Sequence, residues 1–262
     1  MAGEYDTFVK QIKEKLSIDL GLYKEAQMKR RITSLRNKRG YKTFAEYFKA
    51  INQDKKLLNE FVDRITINVS EFYRNPKRWE VLKTTIVPLL IQNKKKLSIW
   101  SAACSTGEEP YSIAMMIQTY FPDIQYKIIA TDIDQKALEK AKLGIYQKQS
   151  LKDLPIELKK NYFTEKSGLF YIDDSIKKDI EFMKHDLLTD KYPKQVDLIV
   201  CRNVLIYFTD IAKESIYHKF SKSLAEEGVL FVGSTEQIFT PQQYNLNLID
   251  TFFYQKSVEK LK

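Results

Sequence analysis

The chain has 262 residues, of which 44% are hydrophobic and 13% aromatic, with a formal net charge of +9 at pH 7. This length fits one large domain with a smaller partner, and the apolar content excludes intrinsic disorder. No apolar run reaches the roughly 18 residues of a membrane span, and the first residues lack a signal-peptide pattern. We therefore expect a cytoplasmic protein without direct membrane insertion.

Cysteine usage argues against two further classes of protein. The two cysteines, Cys104 and Cys201, have no CxxC or CxxH company. This pattern suggests neither a disulfide framework nor a zinc site, and we expect two reduced thiols and no bound metal.

The charge is distributed unevenly along the chain. Residues 1–96 hold 22 Lys and Arg against 11 Asp and Glu, whereas residues 97–262 hold 21 against 23. This asymmetry predicts a separate basic module that meets an acidic partner. Composition leaves open whether that partner is nucleic acid, an anionic membrane or an acidic protein surface.

The basic third has the periodicity of several short helices. Apolar residues recur three and four positions apart, and Thr43 followed by Glu46 has the pattern of a capping box that starts a new helix. The helix around Met28, Ile32 and Leu35 has an opposite, basic side. Four residues on that side are candidates for substrate binding: Lys29, Arg30, Arg36 and Lys38. A solvated helix face would explain them equally well.

From residue 97 onward, strands and helices alternate. Strands are predicted at 97–102, 126–131, 196–201, 228–233 and 250–255, with helices beginning around Pro110 and over 135–143. This alternation predicts a parallel α/β sheet. The last strand follows a polar loop without an evident helix, so we expect it to pair antiparallel as a closing hairpin.

Residues 145 to about 180 interrupt this alternation. Two short segments, 169–172 and 180–183, have the pattern of strands, and Gly168 marks a turn. We interpret the stretch as a small inserted antiparallel β subdomain.

The loop after the first predicted strand points to a nucleoside ligand that carries no phosphate. It reads SAACSTGEEPYS and lies where parallel sheets bind nucleotides. Dinucleotide sites use three glycines, but this loop has only Gly107, followed by Glu108 and Glu109, which would repel an anion. S-adenosylmethionine combines an adenosine with a cationic end and fits better, with Glu108 accepting from its ammonium group. Complementation of the helix dipole is the simpler explanation for both glutamates.

Two further strand ends lead to the same edge. Asp132 ends the second predicted strand and is the candidate ribose ligand, whereas Asp134 is better placed to cap the next helix. The strand at 196–201 leads into Arg202, Asn203 and Tyr207 as candidate substrate contacts. Cys201 is a weak candidate for a covalent nucleophile, because it continues an apolar strand and lacks the Pro-Cys pattern of cytosine-5 methyltransferases.

Four motifs occur together in one order: TINVSEFYRNP, WSAACSTGEEPYSIAM, ATDID and CRNVLIYF. In this combination the chain resembles the CheR family of chemotaxis receptor glutamate methyltransferases over nearly its whole length. The resemblance implies an all-α N-terminal domain, residues 1–78, followed by a Rossmann-like S-adenosylmethionine-dependent methyltransferase domain, residues 79–262. The inserted β subdomain at about 145–180 belongs to the second domain.

The resemblance also implies roles for residues. The cofactor-binding set is Asn68, Ser70, Arg74, Glu108, Asp132, Asp186, Leu187, Arg202 and Asn203. Asp186 and Leu187 would flank the adenine, although the family often has Asn at position 186. The basic helix would recognise the receptor's methylation region, and the inserted ribbon tethers receptors in members that bind a C-terminal pentapeptide.

The implied reaction forms γ-glutamyl methyl esters on the receptor's cytoplasmic helical bundle and leaves S-adenosyl-L-homocysteine. A glutamate is ionised at pH 7, so we expect no general base, and the catalytic assignment is that Arg74 and Tyr207 orient the carboxylate. We expect a monomer, recruited to membrane receptor clusters, that binds no nucleic acid. The alternatives are an RNA or DNA methyltransferase with a basic arm and a non-catalytic receptor adapter.

Overall fold

The computed structural model describes residues 3–66, 68–92 and 94–257, so both outer ends of the predicted domains lie outside the described residues. Contacts group the chain into two compact units. The helical unit runs up to Asn68 and also contains Ile206–Ser215, and the core unit comprises Val69–Leu205 and the residues from Ile216 onward. The predicted division at residue 78 stays a prediction about separate domains.

In the described part of its N-terminal stretch, the helical unit has four α-helices around an aromatic centre. They are α1 (Glu4–Leu16), α2 (Glu25–Lys38), α3 (Phe44–Gln53) and α4 (Lys55–Ile65). The ring of Phe8 lies 5.2 Å from Phe44 and 5.8 Å from Phe61, centroid to centroid. The predicted capping box is confirmed, because the Thr43 hydroxyl accepts the Glu46 N–H at 3.1 Å.

A segment from the second half of the chain completes the helical unit. The Lys24 N–H donates to the Tyr207 carbonyl at 2.8 Å, and the Thr209 N–H donates to the Leu22 carbonyl at 2.9 Å. The rings of Tyr23 and Phe208 lie 4.9 Å apart. The unit is therefore discontinuous in sequence, which the local hydrophobic pattern did not indicate.

The core unit contains a seven-stranded sheet with helices between its strands. Its first half comprises α5 (Pro76–Val81), α6 (Val87–Ile91), β1 (Lys96–Ala102), α7 (Glu108–Tyr120), β2 (Gln125–Asp132) and α8 (Gln135–Leu143). Its second half comprises β3 (Ile145–Gln147), α9 (Ile156–Tyr162), β4 (Phe163–Lys166), β5 (Leu169–Ile172), α10 (Asp174–Lys177), β6 (Ile180–Lys184), β7 (Val196–Cys201), α11 (Asp210–Ser223), β8 (Leu224–Val232), β9 (Leu246–Asp250) and β10 (Phe253–Lys256). Helix α11 begins within the segment that joins the helical unit.

The order of the sheet is β6-β2-β1-β7-β8-β10-β9. Strands β6, β2, β1, β7 and β8 run parallel to one another, and β10 runs antiparallel to β8. The predicted α/β class and the antiparallel final pairing are confirmed. Because β2, β1 and β7 are adjacent and parallel, the loops that follow them meet at one edge of the sheet.

The structure corrects the assignment of 180–183 to the inserted ribbon. This segment belongs to β6, which pairs in parallel with β2 as the outer strand of the large sheet. As an edge strand it is buried only at Ile180, so its pattern resembles that of a half-exposed antiparallel strand. The inserted sheet instead has three antiparallel strands in the order β3-β5-β4, of which only β5 was predicted.

The predicted single strand at 250–255 is also wrong in its bounds. The chain turns at residues 251–252, where Phe252 adopts a φ of 72°, and so forms the hairpin β9–β10. Strand β9 is the outer strand, and only Leu246 is buried along it. Its polar residues therefore gave the sequence the character of a loop.

Candidate cofactor and substrate site

The loop between β1 and α7 has an unusual backbone. Positive φ angles occur at three of its residues, 61° at Ala103, 50° at Ser105 and 95° at Gly107. Two hydrogen bonds fix this shape, from the Cys104 N–H to the Thr131 carbonyl and from the Gly107 N–H to the Cys104 carbonyl, at 2.8 and 3.0 Å. The loop is thus preformed at the end of the sheet.

Gly107 is required by close packing as well as by its backbone angle. A Cβ at this position would lie 2.9 Å from the Ala141 side chain and 3.1 Å from both Tyr111 and the Tyr146 hydroxyl. The same Tyr146 hydroxyl donates to the Thr106 carbonyl at 2.8 Å. The glycine of the sequence motif lets the inserted subdomain's first strand brace the loop.

Glu108, the predicted ligand of the cofactor's ammonium group, is almost completely buried, with 3% of its surface exposed. Burial raises the pKa of this carboxyl, and hydrogen bonds from Thr106 and Ser70 oppose that rise. The Thr106 hydroxyl donates at 2.7 Å. Burial makes the ionised form of this carboxyl less stable than it is in water. A cationic partner, such as an ammonium group, stabilises the ionised form.

Glu109 has a different role from Glu108, although the two are adjacent. Its carboxylate accepts from the Ser101 hydroxyl at 2.8 Å and lies 3.7 Å from the Arg202 guanidinium. Burial raises its pKa to about 7, and the nearby Arg202 charge limits the rise. Glu109 therefore belongs to an internal ion pair, which the dipole explanation did not foresee.

Asp132, the predicted ribose ligand, ends β2 with 7% of its surface exposed. Its two carboxylate oxygens accept from the backbone N–H groups of Ser105, at 2.8 Å, and Asp134, at 2.9 Å. Burial raises its pKa to about 6, and these hydrogen bonds oppose the rise. Asp134 caps α8 as predicted, accepting from the Lys136 and Ala137 N–H groups.

The segment after β6 brings Asp186 and Leu187 near Asp132. The His185 N–H donates to the Asp132 carbonyl at 3.0 Å. Asp186 accepts the Leu188 N–H at 2.8 Å, so its side chain is used to shape this turn. The predicted adenine-flanking pair is therefore next to the predicted ribose ligand.

Arg202 lies inside the core unit with 8% of its surface exposed. Its guanidinium donates to the Arg74 carbonyl at 2.7 Å and lies 4.8 Å from the Phe231 ring centre. Together with the Glu109 contact, these partners make Arg202 a link between α7 and the Arg74 segment. Any contact with cofactor would come in addition to this role.

Residues 69–75 are held firmly on the core unit. The buried Phe72 ring packs edge-on at 4.8 Å from Tyr146, and the Tyr73 N–H donates to the Ser112 hydroxyl at 3.2 Å. The Arg74 carbonyl accepts from Trp79 Nε1 at 3.0 Å, in addition to the bond from Arg202. The backbone of Arg74 is therefore fixed, while its half-buried side chain donates to the Val69 carbonyl over a long distance, 3.4 Å.

Two of the predicted site residues, Asn68 and Tyr207, belong to the helical unit rather than to the core unit. Asn68 ends its N-terminal stretch, and Tyr207 lies in its returning segment. The Arg31 guanidinium lies over the Tyr207 ring, 5.5 Å from its centre. The structure does not test the roles assigned to these two residues, which stay predictions.

The basic side of α2 divides into exposed and engaged residues. Lys29, Arg30 and Lys38 are exposed, although Lys29 pairs with Glu25 at 3.4 Å. Arg36 is half-buried, with its guanidinium 4.5 Å from the Phe44 ring centre. Among the four candidate substrate contacts, Arg36 is thus committed to packing within its own unit.

Sequence reasoning missed Glu236, which lies under the loop that follows β7. Its carboxylate accepts backbone N–H groups from Asn203, Leu205 and Gly233, at 2.6, 2.7 and 2.8 Å. The available signal was a carboxylate three residues after a glycine at a strand end.

Both thiols are buried, and burial raises the pKa of Cys104 and of Cys201. A buried, protonated Cys201 makes a poor nucleophile. Among the described residues no group of three or more His, Cys, Asp and Glu side chains is arranged to hold a metal ion. No helix in the described ranges is long and apolar enough to cross a membrane.

These features fit S-adenosylmethionine. The loop backbone is fixed at the end of the sheet, and the nearby acceptors, Glu108 and Asp132, are buried carboxylates. Two carboxylate acceptors favour an ammonium group and sugar hydroxyls, which donate hydrogen bonds, over phosphate.

Known proteins match the chain over both units. The family model "CheR methyltransferase, SAM binding domain" matches residues 68–252, and "CheR methyltransferase, all-alpha domain" matches residues 3–66. The chemotaxis protein methyltransferases of Listeria monocytogenes and Listeria innocua are each 47% identical over 255 residues, which cover 97% of this chain and 97% of the relative. The chemotaxis protein methyltransferase of Borreliella burgdorferi is 33% identical, over 90% of this chain and 88% of its own.

Proposed function

Because the chain belongs to the CheR methyltransferase family, whose S-adenosylmethionine-binding domain forms its core unit, we propose that it methylates glutamate side chains of chemotaxis receptors. The products are γ-glutamyl methyl esters and S-adenosylhomocysteine. One observation carries the proposal: the 47% identity to chemotaxis protein methyltransferases extends over 97% of the chain, so it includes the basic helical unit as well as the site.

The proposed chemistry requires alignment more than activation. Bound S-adenosylmethionine supplies an electrophilic methyl group on a cationic sulfur. The acceptor glutamate has an ordinary pKa of about 4.3 and is ionised at pH 7, so the protein needs no base to deprotonate it. What the residues must do is hold one carboxylate oxygen in line with the methyl group.

The core unit supplies the cofactor contacts in this proposal. Glu108 accepts from the ammonium group, Asp132 accepts from the ribose hydroxyls, and Asp186 and Leu187 flank the adenine. The burial of Glu108, Asp132 and Leu187 supports these roles, since hydrogen bonds and charge pairs are stronger away from water. Ser70, Arg202 and Asn203 complete the core unit's cofactor contacts in this proposal, and the cofactor role assigned to Asn68 stays a prediction.

Arg74 and Tyr207 orient the acceptor in this proposal. The Arg74 backbone is fixed by Trp79 and Arg202, while its side chain, among the residues that the structure describes, makes one long hydrogen bond, to the Val69 carbonyl. A guanidinium with spare donors suits a carboxylate, which it can bind through two parallel hydrogen bonds. The arrangement supports substrate orientation by Arg74 without proton transfer.

The helical unit supplies receptor recognition in this proposal. Its exposed basic residues, Arg30 and Lys38, face solvent and suit an acidic helical bundle on the cytoplasmic side of the receptor. The relatives and family models support neither alternative, a nucleic-acid methyltransferase or a non-catalytic adapter.

The test is an incubation with S-adenosylmethionine labelled in its methyl group, a receptor cytoplasmic fragment and total RNA. We expect label on the receptor that base releases as methanol. Label on RNA, or no label on either, would refute the proposal.

Arg74→Ala separates orientation from binding. Because both bonds to the Arg74 carbonyl involve its backbone, the variant keeps its loop in place. We expect kcat to fall about 100-fold, the loss of roughly two charge-assisted hydrogen bonds, with cofactor Kd changed less than about threefold. Arg78→Ala, which removes an ion pair with Asp250 and a contact with the Phe252 ring, is the matched control and should keep full turnover. Full turnover by Arg74→Ala would remove it from catalysis.

A further inference from the structure

Glu236 joins the ends of two adjacent parallel strands. It lies in the loop after β8, with 5% of its surface exposed. One carboxylate oxygen accepts the N–H groups of Asn203 and Gly233 at 2.6 and 2.8 Å, and the other accepts the Leu205 N–H at 2.7 Å. Two of these donors belong to the loop after β7, so a single side chain holds that loop to its neighbour.

The contact depends on a glycine at the end of β8. A Cβ on Gly233 would lie 2.3 Å from the Glu236 carboxylate and 2.9 Å from the Asn203 nitrogen. Both distances are below van der Waals contact, so only glycine allows the carboxylate this close to the backbone. The contact therefore requires both Gly233 and Glu236.

Asn203 itself has a backbone that needs support. Its φ of 61° lies in the left-handed region, which non-glycine residues adopt at an energetic cost. The 2.6 Å bond from its N–H to a carboxylate offsets that cost. Since the φ angle of a residue determines where its side chain leaves the loop, the bond also determines the direction of the Asn203 amide.

We propose that Glu236 is a positioning residue of the cofactor site, which acts through the backbone of Asn203 and touches no cofactor itself. The inference rests on the proposed function, in which Asn203 contacts S-adenosylmethionine. A carboxylate suits this position because the backbone groups of Asn203, Leu205 and Gly233 that it contacts are all donors. A glutamine would turn an NH₂ group toward at least one backbone N–H and would leave that donor unsatisfied.

The test compares binding of S-adenosylhomocysteine, the unreactive product, by isothermal titration. Glu236→Gln and Gly233→Ala should each raise its Kd about tenfold, the effect of losing one charge-assisted hydrogen bond. The KM for receptor fragment should change by less than about twofold, since the substitutions disturb the loop after β7 and not the receptor-binding residues. A merely structural role would lower the melting temperature without this split. Glu226→Gln, the same substitution on an exposed residue of β8, is the matched control.

Asn203→Ala separates failure of this inference from failure of the proposed site. If Asn203→Ala weakens binding and Glu236→Gln does not, the positioning role is overturned while the site stands. If Asn203→Ala binds normally, Asn203 is not a cofactor contact, and the positioning role is overturned together with that assignment.

A measurement on the unmodified protein avoids any dependence on how the variants fold. Amide hydrogen exchange over residues 203–205 should be slow even without cofactor, because the carboxylate already holds the two N–H groups. Rapid exchange there in the cofactor-free protein would overturn the inference.

Discussion

The helical unit and the core unit place their charges in opposite surroundings. In the helical unit the basic surplus lies at the surface, where Arg30 and Lys38 are exposed to water. In the core unit the carboxylates Glu108 and Asp132 are buried, and burial raises the pKa of each. Charge in water attracts a partner over distance but is screened by salt, whereas buried charge selects a ligand at contact. One chain thus uses electrostatics for encounter and for selection.

The largest effect should come from removing a buried charge at the ligand. Glu108→Gln keeps the shape and the hydrogen bond from Thr106 but has no charge to pair with an ammonium group. We expect the Kd for S-adenosylmethionine to rise about 100-fold. Glu139→Gln on the exposed face of α8 is the control and should bind like the unmodified protein. An unchanged Kd in Glu108→Gln would contradict the claim that a buried charge of the core unit selects the cofactor.

The second effect concerns a buried carboxyl that binds no ligand. In the folded protein the Glu109 carboxyl has a pKa of about 7, whereas in the unfolded chain its pKa is near the ordinary 4.5. Between those values the folded state binds more protons, so raising pH from 5 to 7 lowers the free energy of unfolding, by about 2 kcal/mol from this group. Glu109→Gln should lack that part of the decrease.

Urea unfolding followed by tryptophan fluorescence measures this difference, because both tryptophans, Trp79 and Trp100, belong to the core unit. Asp132, with a pKa of about 6, contributes in the same direction to both proteins, so the comparison between them isolates Glu109. Equal pH slopes in the two proteins would contradict the raised pKa of Glu109.

The smallest effect should come from the exposed charges. Arg30→Glu combined with Lys38→Glu should raise the KM for receptor fragment about tenfold and flatten its salt dependence, because a few surface contacts become repulsive. Cofactor Kd should not change. Lys10→Glu with Lys49→Glu alters the same net charge at exposed sites on α1 and α3 and serves as the control. Equal KM values for the two double variants would show that net charge, and not this helix face, attracts the receptor.

Features with a local cause were predictable from the sequence. The capping box at Thr43, the cap at Asp134 and the loop at Gly107 each depend on residues within a few positions of one another. The alternation of strands and helices likewise predicted the parallel sheet, and the four motifs predicted the family. Local chemistry and period are visible in a sequence because neighbouring residues carry them.

Features that depend on distant partners were missed. Strand β6 was assigned to the wrong sheet because its pattern does not reveal that β2 is its neighbour. Glu236 gave little signal because its partners at 203 and 205 lie some thirty residues away. Glu109 was expected to face the helix dipole, but Arg202 is its partner across the fold. In each case the determining contact is tertiary.

The returning segment Ile206–Ser215 has a consequence for how the protein is made. A ribosome releases the four N-terminal helices long before it releases Phe208, whose ring lies 4.9 Å from Tyr23. The surface around Tyr23 in the nascent helical unit therefore stays uncovered until most of the core unit has been synthesised. Its final assembly is tied to the emergence of β7 and the returning segment after it, so the two units cannot mature as independent modules in translation order.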